Sequence, residues 1–329
     1  MKNKKILITG GTGSLGKELV RKIRKQFPSW KIIIFSRDEG KQALYYGDQK
    51  DIIRIIGDVR DLEKLKTSFI IHKPNYVIHT AALKRVDDME FYPDECVKTN
   101  IDGSKNVAVA ALNSGVEKCI LISTDKACQP VNVYGSSKFL AERIYTNLDY
   151  TSPHTVFASV RYGNVIASRG SFIPLWLKLL KEEKKISVTS LEMTRFLFTL
   201  DDAVDTVISS MMAAEGGEVF IPKISSYNLD TVISAVEKMV NKKVDYEIIG
   251  LRPGEKLHED MLAKTELSYT YEVPNKNLLC VRPQYSNRVY NKSWIKYSGL
   301  ELNSSLHISE DTHELQELIN RGLKISENE

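Results

Sequence analysis

The chain has 329 residues, enough to bury a large core in one big domain or two smaller ones. At 42% hydrophobic and 27% charged it has the composition of an ordinary soluble globular protein. Its formal net charge of +4 is spread along the sequence, with no basic tract of the kind that grips nucleic acid.

The chain opens Met-Lys-Asn-Lys-Lys, but only Ile6 to Ile8 are apolar before a glycine-rich turn, far short of a signal-peptide core. No uninterrupted apolar run approaches the ~20 residues needed to span a bilayer. A soluble cytoplasmic protein with no membrane partner is expected. Residues 5–9 (KILIT) predict a strand, Gly10-Gly-Thr12-Gly13-Ser14-Leu15-Gly16 a tight turn, and the stretch to Phe27 an amphipathic helix. Further strands are predicted at 31–36, 52–56, 76–80, 118–123 and 156–160, with helices over 61–72, 95–114 and 133–148. Continuous apolar strands alternating with helices predict a parallel sheet covered on both faces, the Rossmann-type doubly wound α/β class. After residue 165 the rhythm changes: helices over 171–184, 201–214 and 229–240, weak periodicity near 263–290, and a closing helix at 309–322. The expected organisation is a dinucleotide-binding domain over 1–165, with some later segments returning to it. A smaller α/β substrate lobe and C-terminal helix occupy 166–329, and the cleft between them is the natural site.

Three glycines, Gly10, Gly13 and Gly16, follow the first strand and open a helix, so a pyrophosphate can sit on the helix N-terminus. Thr12, Ser14 and Leu15 complete that turn. At the end of the second strand stand Ser36, Arg37 and Asp38, with Lys41 close behind. An acidic residue there would bond a ribose 2′-hydroxyl, whereas Ser36, Arg37 and Lys41 can hold a 2′-phosphate. The balance favours NADP over NAD, with Asp38 the dissenting residue. Small residues Ala81 and Ala82 end the fourth strand, followed by Lys84, and let the backbone pack beside the cofactor.

The richest stretch is Thr124-Asp125-Lys126, followed by Tyr134-Gly-Ser-Ser-Lys138. A tyrosine four residues before a lysine puts both on one helix face. The ammonium then favours a phenolate, making a phenol of ordinary pKa about 10 usable as a base. The Asp125-Lys126 pair adds a second acid and a second base, more than simple hydride transfer needs. The alternative for that pair is a loop ion pair supporting the fifth strand. No cysteine spacing suggests a metal: Cys96, Cys119, Cys128 and Cys280 read as free thiols in a reducing compartment. Cys128 reads as a small loop residue, His79 as a strand-end core histidine, and His258 as a helix-start residue.

The GxxGxxG spacing resembles the extended branch of the short-chain dehydrogenase/reductase superfamily. Within it, Asp-Lys together with Tyr-x-x-x-Lys looks like the inverting, 5-epimerising UDP-N-acetylglucosamine 4,6-dehydratases that begin pseudaminic acid-type bacterial sugar pathways. Arg161-Tyr-Gly-Asn164, Ser168-Arg169-Gly170-Ser171, Met193-Thr194-Arg195-Phe196, Thr199-Leu200-Asp201 and Arg252-Pro-Gly-Glu255-Lys256 match in type and order. The resemblance runs nearly the full chain and fades after about residue 265. It implies that Asp58, with Val59 beside it, contacts adenine, and that Asn100 belongs to the cofactor half, where it can equally be structural.

For the chemistry, oxidation at C4 needs a base for the hydroxyl proton, which suits Tyr134 aided by Lys138, with Thr124 holding O4. An amine of lowered pKa, Lys126, then removes the acidified C5 proton, and a protonated Asp125 donates to the departing C6 hydroxyl. Hydride returns to C6, so NADP is regenerated in each turnover. For the UDP-sugar, Asn164 suits the diphosphate or amide, Arg169, Arg195 and Arg252 the pyrophosphate, Glu255 a ribose diol, and Lys84 either ligand. A homo-oligomer is also implied. Two other readings stand beside this one: a UDP-sugar 4-epimerase or a dehydratase stopping at the 5,6-ene, and a noncatalytic NADP-binding regulatory protein.

Overall fold

The computed structural model describes residues 3–166, 168 and 170–327. The first half runs β1 (Lys5–Thr9), α1 (Ser14–Gln26), β2 (Lys31–Ser36), α2 (Glu39–Tyr46), β3 (Ile52–Ile56), α3 (Leu62–His72) and β4 (Tyr76–His79). It continues through α4 (Val86–Phe91), α5 (Pro93–Cys96), a π-helical turn (Val97–Asp102), α6 (Gly103–Asn113), β5 (Lys118–Ile122), α7 (Val133–Thr151) and β6 (Val156–Val160). β-Branched runs make the strands, and side-chain caps begin α2, α3 and α7. Asp38 accepts from the backbone N–H of Lys41, Asp61 from that of Lys64, and Asn132 from that of Gly135.

The second half comprises β7 (Asn164–Val165), α8 (Phe172–Lys181), β8 (Ile186–Val188), β9 (Thr194–Phe198), α9 (Leu200–Ala213), β10 (Val219–Pro222), β11 (Ser226–Asn228) and α10 (Leu229–Val240). After these come β12 (Tyr246–Ile248), β13 (Asp260–Leu262), β14 (Thr270–Glu272), β15 (Leu278–Val281), β16 (Ile295–Lys296), β17 (Leu302–Asn303) and α11 (Thr312–Glu327).

One large sheet has the order β16-β14-β15-β10-β6-β5-β4-β1-β2-β3. From β3 to β10 its pairs are parallel, and β15, β14 and β16 add an antiparallel edge. The chain winds outward in both directions from the β1/β4 boundary, so a crevice opens at the carboxyl ends of these strands. Alternate side chains feed separate cores on the two faces. Ile6, Ile8, Ile32, Ile34 and Ile120 pack with Val204 and Val207 of α9; Leu7, Ile33, Phe35 and Val77 pack with Val107 and Ala111 of α6. A third core, including Trp176, Ile186, Tyr227, Val232, Leu315 and Ile319, fills the second lobe around small sheets built from β7, β9 and β11 and from β8 and β12.

Three local expectations change. The continuous helix over 95–114 is interrupted by the π turn at Val97–Asp102, where Asn100 leaves the helical repeat to bond the backbone of Leu83. The weakly periodic 263–290 stretch contains β14 and β15, strands too short to give a readable alternation. His258 starts no helix; it precedes β13, and its Nδ1 is 2.8 Å from Thr194 Oγ1. His79 is a buried strand-end residue between Thr9 Oγ1 (2.7 Å) and Ser104 Oγ (3.0 Å), where burial pushes its pKa down to about 3. All four cysteines are buried and free. Among the described residues, no helix is long and apolar enough to cross a membrane.

Candidate active site

The glycine-rich turn closes on itself: Gly13 N–H donates to Gly10 O and Gly10 N–H to Phe35 O, both at 2.9 Å. Gly10 has φ +67°, and a Cβ there would lie 2.8 Å from Thr80 Oγ1, so the position is closed to side chains on two counts. The helix that follows has no side-chain cap and no acidic residue in its first turn. Its leading N–H groups are left for an anion. They face a cleft of about 630 Å³ lined by Gly10, Thr12, Gly13, Ser14, Leu15, Gly16, Ser36, Arg37, Asp38, Lys41, Asp58, Val59, Ala81, Ala82 and Lys84. The donor set fits a dinucleotide.

At the far end of that cleft, Asp38 is committed to its own helix. It caps α2 and pairs with Lys41 Nζ at 2.7 Å, and the Lys41 contacts hold its carboxyl below the usual range. Arg37 is exposed and has only a loose pairing with Asp58, at 3.8 Å. Asp58 is itself occupied by Arg60 at 2.8 Å. Asn100 does not line the cleft. Its amide accepts from Leu83 N–H (2.8 Å) and donates to Leu83 O (3.0 Å) and Ser137 Oγ (3.1 Å), bracing the 81–84 loop against α7.

Thr124, Asp125, Lys126, Tyr134 and Lys138 line the opposite end of the same cleft. Asn132 sets this arrangement by capping α7 at 2.6 Å while its amide donates to Gly254 O at 2.7 Å. Gly135 then packs directly on the Lys126 carbonyl, where a Cβ would collide. Asp125 is 1% exposed. Its Oδ1 accepts from Thr124 Oγ1 (2.8 Å), Lys126 N–H (2.9 Å) and Lys126 Nζ (3.0 Å), while its buried Oδ2 has no partner.

Lys126 Nζ also contacts Glu259 Oε1 at 3.1 Å. Burial alone would lower the Lys126 pKa, but Asp125 and Glu259 outweigh it and hold the ammonium above its ordinary value. The expected lowered amine is therefore corrected: it is Lys138, which burial pulls down to about 8 against the pull of Glu142. Tyr134 is pushed up to about 12 by burial, and the cation that opposes this is Lys126 rather than Lys138. Beneath the loop, Arg161 donates to Glu142 and to Glu266, each at 2.8 Å, tying β6, α7 and the 261–266 segment together.

Asn164 lies in the cleft with a buried Oδ1 that has no partner among the described residues, a ready acceptor for a ligand. Lys84 shares the cleft, but Arg195, Arg252 and Glu255 lie elsewhere. Arg195 turns inward and donates to Thr194 O (2.8 Å), Lys256 O (2.9 Å) and Leu257 O (3.1 Å), with Glu255 Oε1 at 3.5 Å. Arg252 is exposed, and its N–H donates to Glu255 Oε2 at 3.2 Å. None of these three residues lines the cleft. Together they shape a 252–260 loop whose Lys256 Nζ reaches Cys128 O at 3.1 Å and so holds the 124–128 loop from outside. Arg169 lies outside the described residues. Glu259 and the wall residues Thr99 and Tyr162 were not legible in the sequence. The only signal for Glu259 was an acidic residue just beyond the Arg-Pro-Gly-Glu-Lys motif. Among the described residues, no cluster of His, Cys, Asp and Glu is set to hold a metal ion.

A doubly wound sheet whose crevice combines this turn with a Tyr-x-x-x-Lys helix defines the short-chain dehydrogenase/reductase class. More narrowly, the chain belongs to the polysaccharide biosynthesis protein family, which matches it over residues 6–280. It is 43% identical over 277 residues to the inverting UDP-N-acetylglucosamine 4,6-dehydratase of Campylobacter jejuni, covering 83% of this chain and 81% of that relative. It is 39% identical over 277 residues to the UDP-glucose 4-epimerase of Rickettsia rickettsii, covering 81% and 80% of the two chains. The crystal structure of Pen from Bacillus thuringiensis superposes with a TM-score of 0.89 at 34% identity, covering 98% of this chain and 99% of that one.

Proposed function

We propose that the protein is an NADP-dependent UDP-N-acetylglucosamine 4,6-dehydratase that inverts C5 and yields a 4-keto-6-deoxy-L-sugar nucleotide for bacterial surface polysaccharide synthesis. The observation that carries this reading is the meeting of Asp125, Lys126 and Tyr134 at the end of a dinucleotide cleft, in a chain 43% identical to an inverting dehydratase. The turn from Gly10 to Gly16 would hold the pyrophosphate, and Ser36, Arg37 and Lys41 the 2′-phosphate, since Asp38 is engaged in capping α2. Bound there, NADP would supply the hydride acceptor at C4 and the hydride donor at C6.

Tyr134 takes the C4 hydroxyl proton, helped by the Lys126 charge, and Thr124 orients that oxygen. Lys138, on the next helical turn, positions the cofactor ribose. Once C4 is a ketone, Lys126 removes the C5 proton, and a proton delivered later to the opposite face inverts the centre. Asp125, whose Oδ2 is left without a hydrogen-bond partner among the described residues, would carry a proton to the departing C6 hydroxyl. Asn164 accepts from the sugar amide or holds the diphosphate through its amide N–H groups.

Incubation with UDP-N-acetylglucosamine and no added reductant is expected to give a product lighter by one water. Unchanged substrate, or product only with stoichiometric NADPH, overturns the reading. The resemblance to a 4-epimerase supports a second reading, which C4 inversion without loss of water would establish.

A further inference from the structure

Lys126 sits between two carboxylates of different character. Asp125 Oδ1 is saturated by three donors. Glu259 is 1% exposed, its Oε1 lies 3.1 Å from Lys126 Nζ and 4.0 Å from Arg195 Nε, and its buried Oε2 has no partner among the described residues. Lys126 is 18% exposed and lines the cleft while Glu259 is buried behind it, so with a substrate covering the ammonium Glu259 Oε1, 3.1 Å away, is a near acceptor for its proton.

The geometry points to Glu259 as a positioning residue that acts through Lys126, accepting the ammonium proton so that a neutral amine faces the substrate. This inference rests on the dehydratase reading and adds a residue to it. In the step, an N–H bond of Lys126 breaks as an O–H bond forms on Glu259, leaving a neutral acid and a neutral amine. The amine lone pair then takes the C5 proton, and the C–H electron pair moves toward the C4 carbonyl oxygen. A donor on the opposite face then protonates C5, and the one proton the Lys126–Glu259 pair has gained leaves by way of the cleft to restore that donor, so over the full cycle no acid or base is consumed. Glu259 suits this role better than Asp125 because it has fewer donors to lose. Burial raises its carboxyl above the ordinary value; the opposing charges that face it are Lys126 and Arg195, and the like charge is Asp125.

The test has two arms. In the first, Lys126→Met in the NADP-bound protein imitates the neutral amine, and infrared difference spectroscopy reads buried carboxylic acid. The expected carbonyl band is present near neutral pH, survives added Asp125→Asn and disappears with added Glu259→Gln. No band, or a band that follows Asp125, overturns the inference. In the second, Glu259→Gln is expected to cut solvent-deuterium exchange at C5 about 10²-fold, with first-turnover cofactor reduction and KM near wild type and partial recovery in Glu259→Asp. Exchange at the wild-type rate, or equal loss of both steps, overturns it. If the wild-type protein dehydrates no UDP-sugar, the functional reading fails while the infrared arm still decides the role of Glu259.

Discussion

Lys138 is an ammonium held 3% exposed against the sheet, and burial brings its pKa from 10.5 down to about 8. Between those two values the unfolded chain binds a proton that the folded one does not, so stability rises with pH across that window. Near pH 7 the buried charge costs on the order of 3 kcal/mol. Lys138→Met is therefore expected to stabilise the protein at pH 7 while abolishing turnover, with the gain shrinking as pH approaches 10.5. Denaturant titrations at a series of pH values measure this; an advantage that is flat with pH contradicts it. Arg37 makes a different prediction. Its fork is the least engaged at the adenosine end, so Arg37→Ala should weaken NADP binding about 10- to 10²-fold and leave NAD unchanged, as read by calorimetry. The Tyr134–Lys138 spacing was legible because it is set within one helical turn. The protonation of Lys126 was not, because it depends on Glu259 arriving from a segment more distant in sequence than any motif window reaches.

At the level of elements, α7 is the part that makes the site exact in position. Its cap Asn132 bonds both the helix and Gly254, and its Gly135 rests on the Lys126 carbonyl. A methyl group at 135 must push that carbonyl away and carry the Asp125–Lys126 turn with it. Gly135→Ala is thus expected to lower kcat about 10²-fold with cofactor affinity kept; stopped-flow turnover beside a binding titration separates the two. The strands β1 to β6 were readable because each is a run of β-branched or apolar residues between clear turns. The edge strands β14 and β16 were not, being three and two residues long. Nor was the π turn at Val97–Asp102: it answers a tertiary demand, the bond from Asn100 to Leu83, that no local propensity encodes.

Across the whole molecule, the large sheet draws on both ends of the chain. β10 and β15 join it only after the chain has built β7, β9 and α9 of the second half. The 252–260 loop then returns from that half to touch the 125–128 turn through Lys256 and Glu259. That topology has a consequence in time. The dinucleotide turn and strands β1 to β5 are close in sequence, so their contacts close short loops and form early. The core under β1 and β2 is completed by α9, whereas the Lys126–Glu259 contact must wait for the later 252–260 loop. During refolding from denaturant, tight NADP binding should therefore return before turnover, and an interval should exist in which the molecule holds its cofactor yet does no chemistry.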